Sequence, residues 1–411
     1  MDLKCLSSAS PYSPCRGILN LVIMRVISRL FMIIFGAILL GGCVTPYTPE
    51  IRESVEIMVI NGVITDQEGV QYIQVSRTSP IGHDEGLLHV SNCIVEVQDN
   101  KDHIYHFLES SPGIYACQMT AQDLVAGTDY MLTVTTENGK QYYSGVEKLL
   151  PSPPIDDILW EQTDKPGTNP NRNTQGVQFF VATDATGEYA KSYRWELEET
   201  WEYHSTFQTW AYYDGSIKLG EFPSDTIQNC WRTLRINDFY TYSTRHLTSD
   251  HITKLPINHV SDETDRLTIT YSLLVKQYSL SETAYDFWKN LEGQSKQTGE
   301  LYATQPSGIF GNIRSLENPE ETVLGYFSAS SITEKRILVQ PSIEAQTSSS
   351  CTPYGLDDAT LMAFLGDIGP SLYPVFLFYI DGSPPIYDYV DQHCFDCRMS
   401  GGTLERPDYW Q

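Results

Sequence analysis

From residue 57 onward the chain is built of short segments whose apolar side chains recur at every second position, each closed by residues that turn a backbone. Ile57-Met58-Val59-Ile60 runs into Asn61-Gly62, and Tyr72-Ile73-Gln74-Val75 ends near Ser79-Pro80. Cys93-Ile94-Val95-Glu96-Val97 meets Asp99-Asn100, and Tyr105-His106-Phe107-Leu108 meets Ser111-Pro112-Gly113. Ile114 to Met119 follows, and Tyr130 to Val134 closes at Asn138-Gly139. A period of two sends successive side chains to opposite faces of a strand. Turn signals at this spacing belong to an antiparallel sandwich. Residues 57–148 are therefore expected to form one small β-sandwich domain.

Leu149-Leu150-Pro151-Ser152-Pro153-Pro154 reads as a proline-stiffened linker, 149–154, at a domain boundary. Strand patterns dominate the rest of the chain, including 177–181, 193–201, 267–274, 323–329 and 375–380. Residues 155–411 are thus expected to form a larger antiparallel β domain, a sandwich or a barrel, with one packed helix near 280–292. Ser279 and Glu282 have the spacing of a capping box. Leu280, Ala284, Phe287, Trp288 and Leu291 then share one helical face. Gly293 and Gly299 mark the expected end of that helix.

The first residues specify an address. Met24-Arg25-Val26-Ile27-Ser28-Arg29 is a short basic stretch, Leu30 to Leu40 is an apolar run, and Gly41-Gly42-Cys43 follows. This is the order of a secretory signal and its cleavage site. The apolar run is too short for a spanning helix, which needs about 20 residues. Leu40-Gly41-Gly42-Cys43 also resembles a bacterial lipobox. The expectation is a signal peptide over 1–42, with the true start near Met24, and acyl chains on Cys43. Each buried CH₂ of such chains contributes about 0.8 kcal/mol, so two or three chains anchor stably. Residues 43–56, with Pro46 and Pro49, are expected to be a lipidated tether. The protein is placed at the outer membrane, held through its N-terminal lipid, with the periplasmic and cell-surface faces both open.

Removing residues 1–42 takes away Lys4, Arg16, Arg25, Arg29 and Asp2, which leaves 23 basic against 51 acidic residues and a charge of −28. So acidic a body argues against nucleic-acid binding, which rests on Lys and Arg neutralising phosphates. Beyond Cys43, six cysteines remain: Cys93, Cys117, Cys230, Cys351, Cys394 and Cys397. An even number in an oxidising compartment reads as disulfides. Cys93 and Cys117 both fall in core phase on strands of the same sheet system, so a bond between them is one expectation and two separate buried thiols the other.

No catalytic signature emerges. His393-Cys394-Phe395-Asp396-Cys397 admits three readings: a staple to cysteines elsewhere, a zinc site recruiting Cys351, or a redox pair. The stretch after it is coil-like, whereas a redox Cys-x-x-Cys begins a helix. The staple is therefore preferred, with no metal and no cofactor. His246 and His251 beside Asp250 could form an acid–base site, but in a polar loop they read as surface. Trp195, Trp201, Tyr203, Trp210 and Tyr212 belong to an aromatic cluster that is either core or a contact patch for a partner, since such residues dominate interface hot spots.

These segments taken together resemble the domain of unknown function 4249 family of outer-membrane lipoproteins. The resemblance is carried by Val59-Ile60-Asn61-Gly62-Val63-Ile64-Thr65-Asp66, Val75 to Pro80, and Pro153-Pro154-Ile155-Asp156. Phe287 to Leu291, Gln305-Pro306, Gly311-Asn312-Ile313, Val323 to Ser330 and Asp396 to Trp410 extend it. It implies an immunoglobulin-like or transthyretin-like N-terminal module and a non-enzymatic accessory role beside a TonB-dependent receptor. A surface glycan hydrolase, and an adhesin or structural surface lipoprotein, are the alternative functions.

Overall fold

A computed structural model describes residues 56–79, 86–166, 173–220, 225–297, 308–346 and 351–410. Cys43 and the tether before Glu56 lie outside the described residues. The protein is mainly β, with several antiparallel sheets. Nine strands come first: β1 (Met58–Thr65), β2 (Gly69–Arg77), β3 (Leu88–His89), β4 (Ile94–Asp99), β5 (Ile104–Ser111), β6 (Ile114–Met119), β7 (Asp129–Thr135), β8 (Gln141–Ser144) and β9 (Glu147–Lys148). Alternation does what the sequence pattern requires. On β7, for example, Tyr130, Leu132 and Val134 point inward and their neighbours outward.

The chain then crosses into a second body made of β10 (Asp157–Pro166), β11 (Asn173–Asp184), β12 (Ser192–His204), β13 (Ala211–Tyr213), β14 (Ile217–Leu219), β15 (Asn229–Ser243), β16 (His251–Ser261) and β17 (Tyr271–Leu280). Helix α1 (Glu282–Gln297) follows. Next the chain returns to the first body. There β18 (Ile313–Ser315) pairs with β8, while β19 (Val323–Leu324) and β20 (Phe327–Ser330) run parallel to β1. The first sheet thus runs β18-β8-β7-β4-β5-β6-β2-β1-β19, and its two ends touch. It is a nearly closed, barrel-like sheet around Ile60, Ile73, Val97, Tyr115, Leu132 and Phe327.

The first body is therefore discontinuous in sequence, because residues 313–330 complete what 57–148 begin. Nor does 149–154 behave as a free linker. Leu149, Ser152 and Ile155 are buried. The fully buried amide of Gln277 donates to Pro153 O at 2.8 Å and Ser152 Oγ at 3.1 Å, while its oxygen accepts from Trp195 Nε1 at 3.0 Å. Proline-rich composition signals stiffness. It cannot tell a spacer from a segment bolted in place.

After β20 the chain re-enters the second body as β21 (Ile332–Val339). Sheet β15-β12-β17-β21 packs against β10-β11-β16 around Phe179, Trp195, Leu197, Tyr271 and Leu273. Helix α2 (Asp358–Asp367) precedes β22 (Val375–Ile380) and β23 (Ile386–Tyr389), which join β13 and β14 in a last small sheet.

Helix α1 differs from its expected ends. Ser281, not Ser279, caps it, accepting from Ala284 N at 3.1 Å, while Ser279 Oγ turns to Leu150 O at 2.6 Å. The helix also continues through Gly293 to Gln297. Glu292 inside that stretch is buried and tied to Lys296 at 2.6 Å and to Thr241 at 2.5 Å, contacts that carry the helix past the glycine.

Candidate functional site

The cysteines settle first. Cys230 is bonded to Cys397, and Cys351 to Cys394. The two cysteines of the His393-to-Cys397 motif thus reach separate partners and staple the C-terminal segment to the body. His393 Nε2 lies 3.5 Å from Cys394 Sγ and 4.0 Å from Cys351 Sγ. That grouping has the compactness of a metal site, but zinc is bound by thiolates, and both sulfurs are bonded to each other.

Cys93 and Cys117 are free, which corrects the expected bond between them. Strand β5 stands between β4 and β6, with Val95 paired to Phe107 and Leu108 to Ala116. Strands are spaced about 4.8 Å apart, so two spacings exceed the roughly 7 Å Cα limit of a disulfide. Shared phase was read correctly from the sequence, but adjacency was not available from it. Burial pushes both thiols up from their ordinary value.

The aromatic cluster divides. Trp195, Trp201 and Tyr203 are core residues of the second body, which removes them from any contact patch. Tyr212 packs beside Phe207 and Phe395 against the C-terminal segment, and Trp210 is exposed. Alternation along β12 is the reason: Tyr193, Trp195, Leu197, Trp201 and Tyr203 all face one way, into the core. The histidine candidates also separate. His251 pairs with Asp184 at 3.2 Å, whereas Asp250 is held by Lys191 at 2.8 Å, and His246 is exposed.

The opposite face of β12 carries Arg194, Glu196 and Glu198, and it forms the floor of a broad concavity. A cleft of about 900 Å³ lies between the outer face of β1 and β2 and the β12–β15 sheet with α1. Val70, Tyr72, Ile236, Phe239, Trp288, Tyr326 and Ile332 line it, together with Arg194, Glu196, Arg235 and Asp238. A pocket of about 410 Å³ adjoins it, sharing Arg194, Glu196 and Arg235 and adding Lys276 and Tyr278. Both volumes fall in the range of small-molecule sites.

Arg194 is the organising residue. Its guanidinium carbon sits 4.0 Å from the Trp288 ring centroid and 4.6 Å from that of Tyr278, a cation–π sandwich. Nη1 meets Glu196 at 2.8 Å, and the other carboxylate oxygen of Glu196 meets Arg235 at 2.5 Å. Burial pushes the guanidinium below its usual range, while Glu196 opposes that shift. Tyr278, half-buried and facing Glu196, is pushed up to about 12, chiefly by desolvation. Two buried donors here, Arg194 Nε and Trp288 Nε1, have no acceptor among the described residues.

Behind the cleft lies a locked junction. Glu147 accepts from Tyr326 OH at 2.5 Å, Ser281 Oγ at 2.7 Å, Asn312 Nδ2 at 3.2 Å and Thr283 Oγ1 at 3.3 Å. It stands at the N-terminus of α1, where a negative charge is favoured. Burial nevertheless pushes its carboxyl above the usual range, against those four hydrogen bonds. Asn61 Oδ1 accepts from Tyr326 N at 3.3 Å, and Asn312 brackets Phe327 with bonds of 2.7 and 3.0 Å.

A mainly β protein of two interlocked bodies, with an aromatic and guanidinium cleft between them, is the class that fold and site define. The family described as "Domain of unknown function (DUF4249)" matches residues 44–336, and the chain belongs to it. The match ends before the disulfide-stapled C-terminal segment, including the Asp396-to-Trp410 stretch that contributed to the resemblance. No curated protein matches the chain.

Proposed function

We propose that the chain is a non-enzymatic binding lipoprotein of the outer membrane, anchored through Cys43, an accessory of a TonB-dependent receptor that uses the cleft above Arg194 as its binding surface. The observation that carries this reading is the cleft itself, an aromatic-walled concavity with a fixed cation at its floor. Such surfaces bind, because rings bury large area and a placed charge orients the guest. The carboxylate at its centre favours binding over hydrolysis. A glycosidase needs one carboxyl free to protonate a leaving group. Here both oxygens of Glu196 already accept from guanidinium groups. No helix among the described residues is long and apolar enough to cross a membrane, which is compatible with anchoring by lipid.

Capture from detergent-solubilised outer membranes tests this, using wild type, Tyr72→Ala at the exposed cleft wall, and Cys43→Ser. The wild type is expected to recover a TonB-dependent receptor, and Tyr72→Ala to recover less than half as much. Cys43→Ser should leave the membrane fraction. Recovery of the protein alone at native expression would overturn the partnership. Turnover of an envelope glycan, abolished by Glu196→Gln, would favour the hydrolase, and surface exposure without a receptor the adhesin.

A further inference from the structure

The donors that β12 and α1 hold without acceptors point to the chemistry of the guest. Burying an N–H with no partner costs about 1–3 kcal/mol. Among the described residues only six buried side-chain polar atoms lack partners, and two of them, Arg194 Nε and Trp288 Nε1, belong to the stacked pair lining this one cleft. Arg194 is only 6% exposed, so this is a built and desolvated position rather than a surface cation. Glu196 takes one end of the guanidinium, Nη1. That leaves the Nε edge, from which an arginine grips a carboxylate in a two-bond fork.

Charge agrees with the donors. The whole chain carries 52 acids against 27 bases. Around the floor, however, the charges balance: Arg194, Arg235 and Lys276 stand against Glu196, Glu198 and Asp238, with Glu196 serving both Arg194 and Arg235 and Glu198 held by Arg336 at 3.0 Å. Lys276 opens into the adjoining pocket and makes no ion pair among the described residues. An unpaired ammonium beside a half-satisfied guanidinium attracts an anion. Val70, Tyr72, Phe239 and Trp288 give the cleft an apolar and aromatic stretch, beside the uncharged polar side chains of Gln71 and Gln74.

We infer that the cleft receives a carboxylate carried on an apolar body, with the acid group between Arg194 and Lys276 and the body along Tyr72, Phe239 and Trp288. The inference rests on the cleft being the binding surface, and it adds the ligand class. An incoming carboxylate oxygen supplies the acceptor that Arg194 Nε and Trp288 Nε1 lack, and its charge offsets Lys276.

Octanoate is a suitable probe, with octanol as the uncharged molecule of the same chain, titrated into the full-length protein by calorimetry and by tryptophan fluorescence. Octanoate is expected to bind one per chain and about tenfold more tightly than octanol, the worth of one charge-assisted hydrogen-bond set. Lys276→Gln removes the ammonium without stranding a partner, and should weaken octanoate about three- to tenfold while leaving octanol unchanged. Trp288→Phe keeps a ring over Arg194 but deletes the N–H, and should act in the same direction. Both variants are checked for wild-type circular dichroism, and Lys276→Gln, at a half-buried site, keeps the test decisive should Trp288→Phe misfold. Equal binding of octanol and octanoate, or an octanoate affinity indifferent to Lys276→Gln, overturns the inference. If it fails while receptor capture still depends on Tyr72, the ligand class falls and the binding cleft stands. If octanoate binds as expected while capture fails, the partner falls and the carboxylate site stands.

Discussion

At Glu147 one carboxylate gathers four donors from three separate parts of the chain, namely Ser281 and Thr283 at the start of α1, Asn312 before β18, and Tyr326. Replacing it with alanine strands all four. Unsatisfied buried groups cost about 1–3 kcal/mol each when they cannot reach water. Partial rearrangement leaves an expected loss of about 3 kcal/mol for Glu147→Ala, measurable by urea denaturation. The pH dependence has a definite sign. Burial raises the carboxyl above its ordinary 4.5 in the folded protein, so the native state binds the proton more tightly than the unfolded chain. That contribution is complete below the unfolded value and is lost as pH rises through the elevated one. Against Glu147→Gln, which does not titrate, wild-type stability should therefore fall as pH is raised from about 4 toward neutrality. A difference that grows with pH instead would mean that the hydrogen bonds outweigh the burial.

Elements show where sequence reading succeeds and where it stops. Period-two alternation found β1, β2, β4, β5, β6 and β7, because inward and outward faces leave a local trace, but it ended β1 at Asn61-Gly62, which lies inside the strand with Gly62 paired to Ile73, and caught only the middle of β2. Helix α1 was legible for the same reason, through Ala284, Phe287 and Trp288. What left no local trace was partnership. The parallel pairing of β1 with β20, Val63 opposite Ser328, joins segments that lie far apart in the sequence, and the strand standing between Cys93 and Cys117 is likewise a matter of pairing. For the site, the aromatic run of β12 drew attention to its inward face, whereas the functional candidates are the polar residues between, Arg194 and Glu196. The alternation of aromatic with charged residues was visible, but which face would meet a cleft was not. The resemblance segments prove to be neighbours: Asn61, Asn312, Tyr326 and Phe327 come from three of them and meet at one junction. Gly325 permits that meeting. It holds φ at +93°, and a Cβ there would overlap the Ile60 carbonyl. Gly325→Ala should accordingly cost more than about 2 kcal/mol, from backbone strain and overpacking together. Thermal denaturation reads this, and a melting temperature within a degree of wild type would show that β1 and β20 tolerate separation.

For the whole molecule the decisive property is that neither body is continuous. Residues 58–148 supply most of the first sheet, but β18, β19 and β20 seal it after the chain has built most of the second body. The segment 149–154 is threaded under Gln277 rather than hung between domains. The C-terminal segment is tied down separately by Cys230–Cys397, which closes a loop of 167 residues. Loops of that length give disulfides their largest effect on the unfolded chain, so Cys230→Ala with Cys397→Ala should cost on the order of 3–5 kcal/mol. The first sheet makes the sharper test. A fragment of residues 56–154 retains β1 to β9, yet leaves the outer edge of β1 and the outer edge of β8 unpaired. It also exposes Ile60, Ile64 and Val134, against which Ile313, Phe327 and Ala329 otherwise pack. Open edges and an uncovered apolar surface favour association over a folded monomer. The fragment alone is expected to show broad, poorly dispersed amide resonances and to aggregate. Adding a peptide of residues 308–331 in trans should restore dispersion and protect β1 amides from exchange. If the fragment folds cooperatively by itself, the returning strands are an accessory covering and the two bodies are ordinary tandem domains. If only the complemented pair folds, the junction at Glu147 and the cleft beside it are fixed by the same closure, and the binding site cannot exist before the chain has come back to the first sheet.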